Sequence, residues 1–367
     1  MCALGSTEQV DIRLNAVCPY FTMFPLDFPL EVLRAAGRDE WVLDPFCGRG
    51  TTLFAARLLG LPGVGIDVNP VATALAEAKL AATSAEAVIR SCRSLLQGPD
   101  TPPLPDGEFW TWAFHPETLR AICVLRARLA SEPPSATTVM LRALLLGVLH
   151  GPLTKRAPSY LSNQMPRTYA TKPAAAVRYW QARRLAPQFV DLLDVVSRRA
   201  RHALAHLPPR TAGHVVRGDA TTTIPTLRRR FRWVITSPPY YGMRTYAPDQ
   251  WLRMWFLGGP PHVTYQSGDQ LAQSSEEAFV AALAGVWRSA AERCHSGARL
   301  VVRLGALPCR RSDPRALLSA SIEQADAGWA RLAVRSAGAP RRQRRQAEQF
   351  VATGHYAAEV DATAILR

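Results

Sequence analysis

The stretch "WVITSPPYYG" (233–242) ends what reads as a buried strand with residues able to do chemistry. Two prolines remove two backbone donors and stiffen the chain, and the residue before each is held extended. The Ser237 hydroxyl and the Pro238 carbonyl thereby become fixed hydrogen-bond acceptors, with Pro239 completing the stem and Tyr240 offering an aromatic face. Acceptors held still suit an –NH2 group whose lone pair is delocalised into a ring. Hydrogen bonds from that group favour a more tetrahedral nitrogen and free the lone pair for attack. The competing reading is a proline-rich turn with core tyrosines.

A second set of residues lies near the N-terminus. In "DPFCGRGTT" (44–52), two glycines at a strand end let a ligand approach the backbone, and the helix that follows offers free N–H groups. A phosphate-binding loop would need Gly-Lys-Ser/Thr, and no lysine is here. Asp67 ends the next strand, where an acid can accept hydrogen bonds from two ribose hydroxyls. Asp219, in "RGDA", stands at a further strand end. Each acid alone is equally well a turn or cap residue; in this order they indicate an adenosine-containing ligand.

The elements that must position these residues alternate. "EWVLDPFCGRGTTLFAARLLGLPGVGIDVNPVATALAEAKL" (40–80) reads as strand, Gly-rich turn, helix stopped by Gly60, strand and acid, then a helix opened by Asn69 and Pro70. This is the opening of a doubly wound, mostly parallel, Rossmann-like sheet. Residues 99–108 form a Pro- and Asp-rich linker. From His115 to Pro208 the pattern is helical: Leu119, Ile122, Leu125 and Leu129 make one stripe, Ser135 caps another helix, Pro173 opens a third, and Leu192, Val196 and Leu204 carry a fourth. Strand signals return at 213–220, 233–237, 298–306, 330–338 and 360–367. The expected organisation is a catalytic domain of 1–98 and 213–367 interrupted by a helical insertion, 99–212.

The chain has 367 residues, 48% of them apolar, and a net charge of +15. It can bury a core, and its charge fits a partner rich in phosphates. Within 151–212 there are eleven Lys/Arg against two Asp, with Tyr160, Tyr169, Tyr179 and Trp180 among them. That suits a groove tracking a phosphate backbone better than a merely solvated face. Arg167 and Lys172 are candidate contacts there. After the prolines, Arg244 and Tyr246 are candidates for contact with a base or phosphate of such a partner, while Trp251 and Trp255 should pack on one helix face. The runs "RRRFR" (228–232) and "RRQRR" (341–345) fit either phosphate contact or solvation. The seven scattered cysteines form no C-x-x-C pair and suit reduced thiols, no metal site is expected, and no signal or membrane-spanning pattern is present, so the expected location is the cytoplasm.

"DPFCGRGTT…GIDVNP" together with "TSPPY" resembles the AdoMet-dependent amino methyltransferases of DNA, which methylate the exocyclic nitrogen of cytosine or adenine. The upstream "CPYFTMFPLDFPLEVL" (18–33) is similar to the segment that closes over the methionine end of the cofactor in that family. The resemblance covers about 18–80 and 213–306. It implies S-adenosyl-L-methionine as methyl donor, with Asp44, Gly48 and Gly50 at the methionine part, Asp67 at the ribose, Asp219 near the adenine, Phe46 also in the cofactor site, and Tyr20, Phe21 and Thr22 from the upstream segment. It implies Ser237, Pro238, Pro239 and Tyr240 as the catalytic motif, with Tyr240 stacking on a base rotated out of duplex DNA.

In that family serine in the first motif position is commoner among cytosine-N4 enzymes, and Asp or Asn among adenine-N6 enzymes, so the resemblance implies cytosine N4 over adenine N6. Methylation at cytosine carbon-5 would need a Pro-Cys nucleophile; Tyr240 stands there, and Cys47 reads as packing. The motif order departs from that of many "TSPPY" members, because the cofactor motif here comes first and the insertion follows the second strand. The expected function is site-specific DNA methylation at cytosine N4 in double-stranded DNA, and a cognate restriction endonuclease is a candidate partner that the sequence does not decide. The alternatives are adenine-N6 methylation, RNA base methylation, and a non-catalytic nucleic-acid binder on the same fold.

Overall fold

A computed structural model of the chain describes residues 12–20, 25–98, 102–152, 157–166, 172–242, 247–263, 271, 274–305, 312–337 and 359–367. The chain divides into two units: Tyr20–Leu80, Ala170–Pro173 and Pro209–Arg367 form a sheet unit, and Met1–Pro19, Ala81–Tyr169 and Ala174–Pro208 form a helical unit.

The sheet unit begins with helix α1 (Asp27–Leu33), strand β1 (Val42–Asp44), helix α2 (Thr51–Leu58), strand β2 (Gly63–Asp67) and helix α3 (Pro70–Leu80). β1 and nearly all of β2 are buried, the near-continuous apolar run expected of central parallel strands. A Cβ built on Gly65 would lie 2.7 Å from Leu53 and 2.9 Å from Cys47, so the glycine lets the turn after β1 settle onto β2. The Asn69 side chain accepts from the N–H of Val71 (2.9 Å) and starts α3, with Pro70 as its first residue, as expected.

The helical unit contains α4 (Ala85–Leu96), α5 (Glu108–Ala113), α6 (Pro116–Ser131), α7 (Ala136–Val148), α8 (Pro173–Ala182, entered from the sheet unit at its first residue) and α9 (Leu192–Ala203). Ser135 and Thr138 form a reciprocal capping box at the start of α7, and the expected stripe of α6 is buried. This unit starts earlier than the sequence pattern indicates. α4 buries Val88, Ile89 and Cys92 and packs with α6, α7 and α9, while Arg128 donates to the carbonyls of Leu95 and Gln97. The segment before Pro19 also belongs here: a Cβ on Gly147 would lie within 2.4 Å of the Val17 carbonyl.

The sheet resumes with β3 (Gly213–Arg217), the short α10 (Ala220–Thr223), β4 (Phe231–Thr236), α11 (Ala247–Phe256), α12 (Glu276–Glu292), β5 (Cys294–Gly305), α13 (Pro314–Ala325), β6 (Trp329–Ser336) and β7 (Glu359–Leu366). Each of the five strand signals after residue 213 corresponds to a strand. The strand order is β3-β2-β1-β4-β5-β7-β6, parallel from β3 to β5, with β7 antiparallel to both β5 and β6. β7 alternates between buried and half-buried residues, as an antiparallel strand with one core face does. The architecture is the Rossmann-like, doubly wound, mostly parallel sheet expected. Its order reverses between β1 and β4, and open sheets of this kind bind ligands outside the strand C-termini at that point.

Candidate active site

Asp44, Gly48, Gly50, Asp67, Asp219 and Ser237 stand at or just after strand C-termini along one edge of the sheet, and Asp44 and Ser237 flank the point where the order reverses. Asp44 ends β1 and is fully buried. Its Oδ1 accepts from the backbone N–H of Phe46 (3.2 Å) and from the Thr236 hydroxyl (2.6 Å), whereas its Oδ2 is buried with no hydrogen-bond partner among the described residues. Burial pushes the Asp44 carboxyl up from 3.8 to about 6. Hydrogen bonds from Thr236 and Phe46 oppose that rise, and the charge of Asp67 adds to it. An unmatched buried acceptor is costly unless something supplies a donor.

Thr236 is the last residue of β4, so its bond to Asp44 ties the strand that presents Ser237 to the strand that presents the Gly-rich turn. Thr52, in the first turn of α2, adds a bond to the carbonyl of Ile235 (3.4 Å). Sequence reasoning passed over Thr236, although it is the first letter of "TSPPY". Its signal was a hydroxyl at the last buried position of a strand.

The turn after β1 is shaped for a ligand. Gly48 and Gly50 have φ of +49° and +78°. A Cβ on Gly50 would strike Ala76 at 2.8 Å, whereas one on Gly48 would meet nothing within 4 Å among the described residues, which leaves its backbone open to a ligand. Among the described residues no side chain caps the N-terminus of α2, whose first N–H groups suit an anion. Asp67 ends β2 and holds the turn: its Oδ2 accepts from the N–H of Gly48 (2.9 Å) and its Oδ1 from that of Asn69 (2.8 Å). Burial raises its pKa against the lowering effect of these bonds. Each oxygen keeps a second lone pair for a ligand hydroxyl. The Tyr20 hydroxyl accepts a long bond from the Asn69 side chain (3.4 Å), which brings the upstream segment to this acid.

Other candidates have mainly structural contacts. Phe46 packs edge-on against Trp287 (6.5 Å). Cys47 is buried among Leu53 and Ala76, and burial, with the charges of Asp67 and Asp44, pushes its thiol well above its usual value, as packing requires. The exposed Asp219 caps α10, accepting from the N–H of Thr221 (2.8 Å) and from its hydroxyl. At the end of β4, Ser237 is half-buried and Pro238 buried, next to the β1–β4 reversal. Tyr240 donates to Glu359 (2.7 Å). Tyr241, for which sequence offered no role, is buried against Phe279 (5.5 Å) and anchors the far side of the prolines in the core. Trp251 and Trp255 are both buried on α11. Lys172 is exposed just before α8, where the Arg183 guanidinium lies over the Tyr179 ring (4.1 Å) and Phe189 is 55% exposed. Phe21, Thr22, Arg167, Tyr169, Arg244, Tyr246 and the run 341–345 lie outside the described residues.

These features fit S-adenosyl-L-methionine. The buried, unmatched Asp44 Oδ2 and the open Gly48 turn suit its cationic amino-acid end, the α2 N-terminus its carboxylate, and Asp67 its ribose. Among the described residues, no cluster of His, Cys, Asp or Glu could hold a metal, and no helix is long and apolar enough to cross a membrane.

A family model agrees: that of the N6/N4 methyltransferases, described as DNA methylase, matches residues 7–78. The match includes the Gly-rich turn and Asp67 and ends well before Ser237. No curated protein matches the chain. Solved structures with a similar fold include TrmN from Thermus thermophilus (12% identity, TM-score 0.35, 93% of this chain). Another is the rRNA methyltransferase aviRa from Streptomyces viridochromogenes (14% identity, TM-score 0.36, 98% of this chain and 94% of that one). A third is a geranyl diphosphate methyltransferase (9% identity, TM-score 0.34, 93% of this chain and 76% of that one). The chain spans 48% of the length of TrmN, and likeness at these scores says nothing of substrate. Over residues 7–78 the chain is similar to the DNA methylases, and that match supports a methyltransferase that draws its methyl group from S-adenosyl-L-methionine.

Proposed function

We propose that this methyltransferase acts on an exocyclic amine in double-stranded DNA, cytosine N4 ahead of adenine N6, with the target base rotated out of the duplex. The observation that supports the reading is the Thr236–Asp44 bond at the β1–β4 reversal, because it ties the end of β4, which leads into Ser237 and Pro238, to the end of β1, which leads into the Gly-rich turn. The cofactor supplies an electrophilic methyl group on a sulfonium.

The chain supplies the rest. The Ser237 hydroxyl and the Pro238 carbonyl accept hydrogen bonds from the amine and turn its lone pair toward the methyl. One N–C bond forms, the S–CH3 bond breaks, and one amine proton leaves to solvent. No covalent enzyme intermediate is required. Tyr240 stacks on the extruded base and returns about 1–3 kcal/mol of an extrusion cost of a few kcal/mol. Serine at position 237 favours cytosine, and the basic segment 151–212, including Lys172 and Arg167, supplies phosphate contacts. A cytoplasmic enzyme acting beside a restriction endonuclease completes the proposal.

The test is transfer of labelled methyl from S-adenosyl-L-methionine to duplex DNA by the wild type and by Ser237→Ala. The variant should lose about a hundredfold in kcat, the size of removing one preorganised polar contact, and keep its cofactor affinity. Unchanged kcat would remove serine from the mechanism.

A further inference from the structure

We propose that Glu359 is a positioning residue: together with Gly305 it fixes the ring of Tyr240 at the C-terminal end of β4. The proposal rests on the reading that Tyr240 faces the target base. The Tyr240 hydroxyl donates to Glu359 Oε1 at 2.7 Å, across 119 residues of sequence. Glu359 opens β7 and stands opposite Gly305, the last residue of β5, in the antiparallel register. A Cβ built on Gly305 would lie 2.5 Å from Tyr240 Cε2, 2.6 Å from Cζ and 2.9 Å from the hydroxyl. The ring therefore occupies the place a side chain would take.

Gly305 is not among the glycines with positive φ, so its backbone makes no demand for glycine. The approach of the ring does. Two residues along, Arg303 and Asp361 face each other across the same strands in a two-pronged ion pair, 2.7 Å at each contact. The Arg303 guanidinium also lies over the Phe28 ring at 4.0 Å. This pair holds the end of β7 in register and so holds Glu359 in place. Tyr241 is sunk in the core. The Tyr240 side chain is thus fixed at its backbone by its neighbour, at its ring by Gly305 and at its hydroxyl by Glu359, which leaves a stacking platform little freedom to swing.

The experiment is a double-mutant cycle on the full chain, reading kcat and KM for duplex DNA, the KM for S-adenosyl-L-methionine, and Tm. Tyr240→Phe and Glu359→Ala should each lower kcat/KM for DNA about tenfold, the size of one net hydrogen bond, with the cofactor KM unchanged. The double variant should be no worse than either single one. Glu359→Gln should recover most of the loss, because its amide oxygen accepts the same bond. Gly305→Ala should also lower kcat/KM, and should cost little further in a Tyr240→Ala background, where the ring is gone. Additive losses in the Tyr240→Phe/Glu359→Ala pair, or a Gln variant as poor as the Ala variant, would overturn the proposal. If the wild type leaves DNA unmethylated, the functional reading fails. The Tm cycle then decides this inference by itself, because additive Tm shifts would deny that the two side chains are coupled.

Discussion

Asp44→Asn separates the energetics of the site from its chemistry. Burial lifts the Asp44 carboxyl from 3.8 to about 6 in the folded protein without ligand. A raised pKa means that the folded state holds its proton more tightly than the unfolded chain does. The stability linked to this group is therefore fully present below 3.8 and is lost as pH rises through about 6. The rise spans roughly two pH units, and at ~1.4 kcal/mol per unit the loss is about 3 kcal/mol as an upper bound. Asparagine cannot ionise, and its oxygen can still accept from Phe46 and Thr236. The cost of its amide donors is the same at every pH.

The stability of the variant relative to wild type, measured by urea denaturation without cofactor, should therefore climb by up to about 3 kcal/mol between pH 4 and pH 8. Over the same range its affinity for S-adenosyl-L-methionine, measured by calorimetry, should fall well below that of wild type, because the anion offered to the ligand's ammonium is gone. If the two proteins keep a constant stability difference from pH 4 to 8, Asp44 is not a strained buried acid and the cofactor argument built on it fails.

Two further variants test the frame around Asp44. Thr236→Val removes the 2.6 Å bond that lowers the Asp44 pKa, so the pH at which cofactor binding is half-maximal should move upward. A pH titration of binding checks this, and an unmoved profile would deny the link between β4 and Asp44. Asp67→Ala removes the acceptor of the Gly48 and Asn69 N–H groups along with the ribose contact. Cofactor affinity should fall at least about tenfold, and equilibrium binding that matches wild type would exclude Asp67 from the site.

Much of this architecture is legible in the sequence because its cues are local. A strand ending in "DPFCGRG", an acid closing "GVGID" and Asn-Pro opening a helix each declare themselves within a few residues. The extent of the helical unit was not legible for the opposite reason. Val88, Ile89 and Cys92 mark an apolar face on α4, but nothing in that face says whether it covers a sheet or other helices. The state of Asp44 depends on complete burial and on Thr236, 192 residues away. Gly305 has the look of a turn glycine at a strand end, and only the position of the Tyr240 ring shows why a side chain cannot stand there. Asp219 carries both readings still, since its capping bond and a ligand contact use different lone pairs. The two tyrosines after the prolines are identical by sequence, and folding divides them: Tyr241 goes into the core and Tyr240 to the sheet edge.

The most direct test of the account is mass spectrometry of nucleosides from DNA and RNA incubated with the pure protein and S-adenosyl-L-methionine carrying a labelled methyl group. The account predicts label in N4-methylcytosine from the DNA. Label in N6-methyladenine would reverse the base preference assigned to Ser237. Label only in an RNA nucleoside, or in no nucleoside while the cofactor still binds, would contradict the proposal that this site methylates DNA.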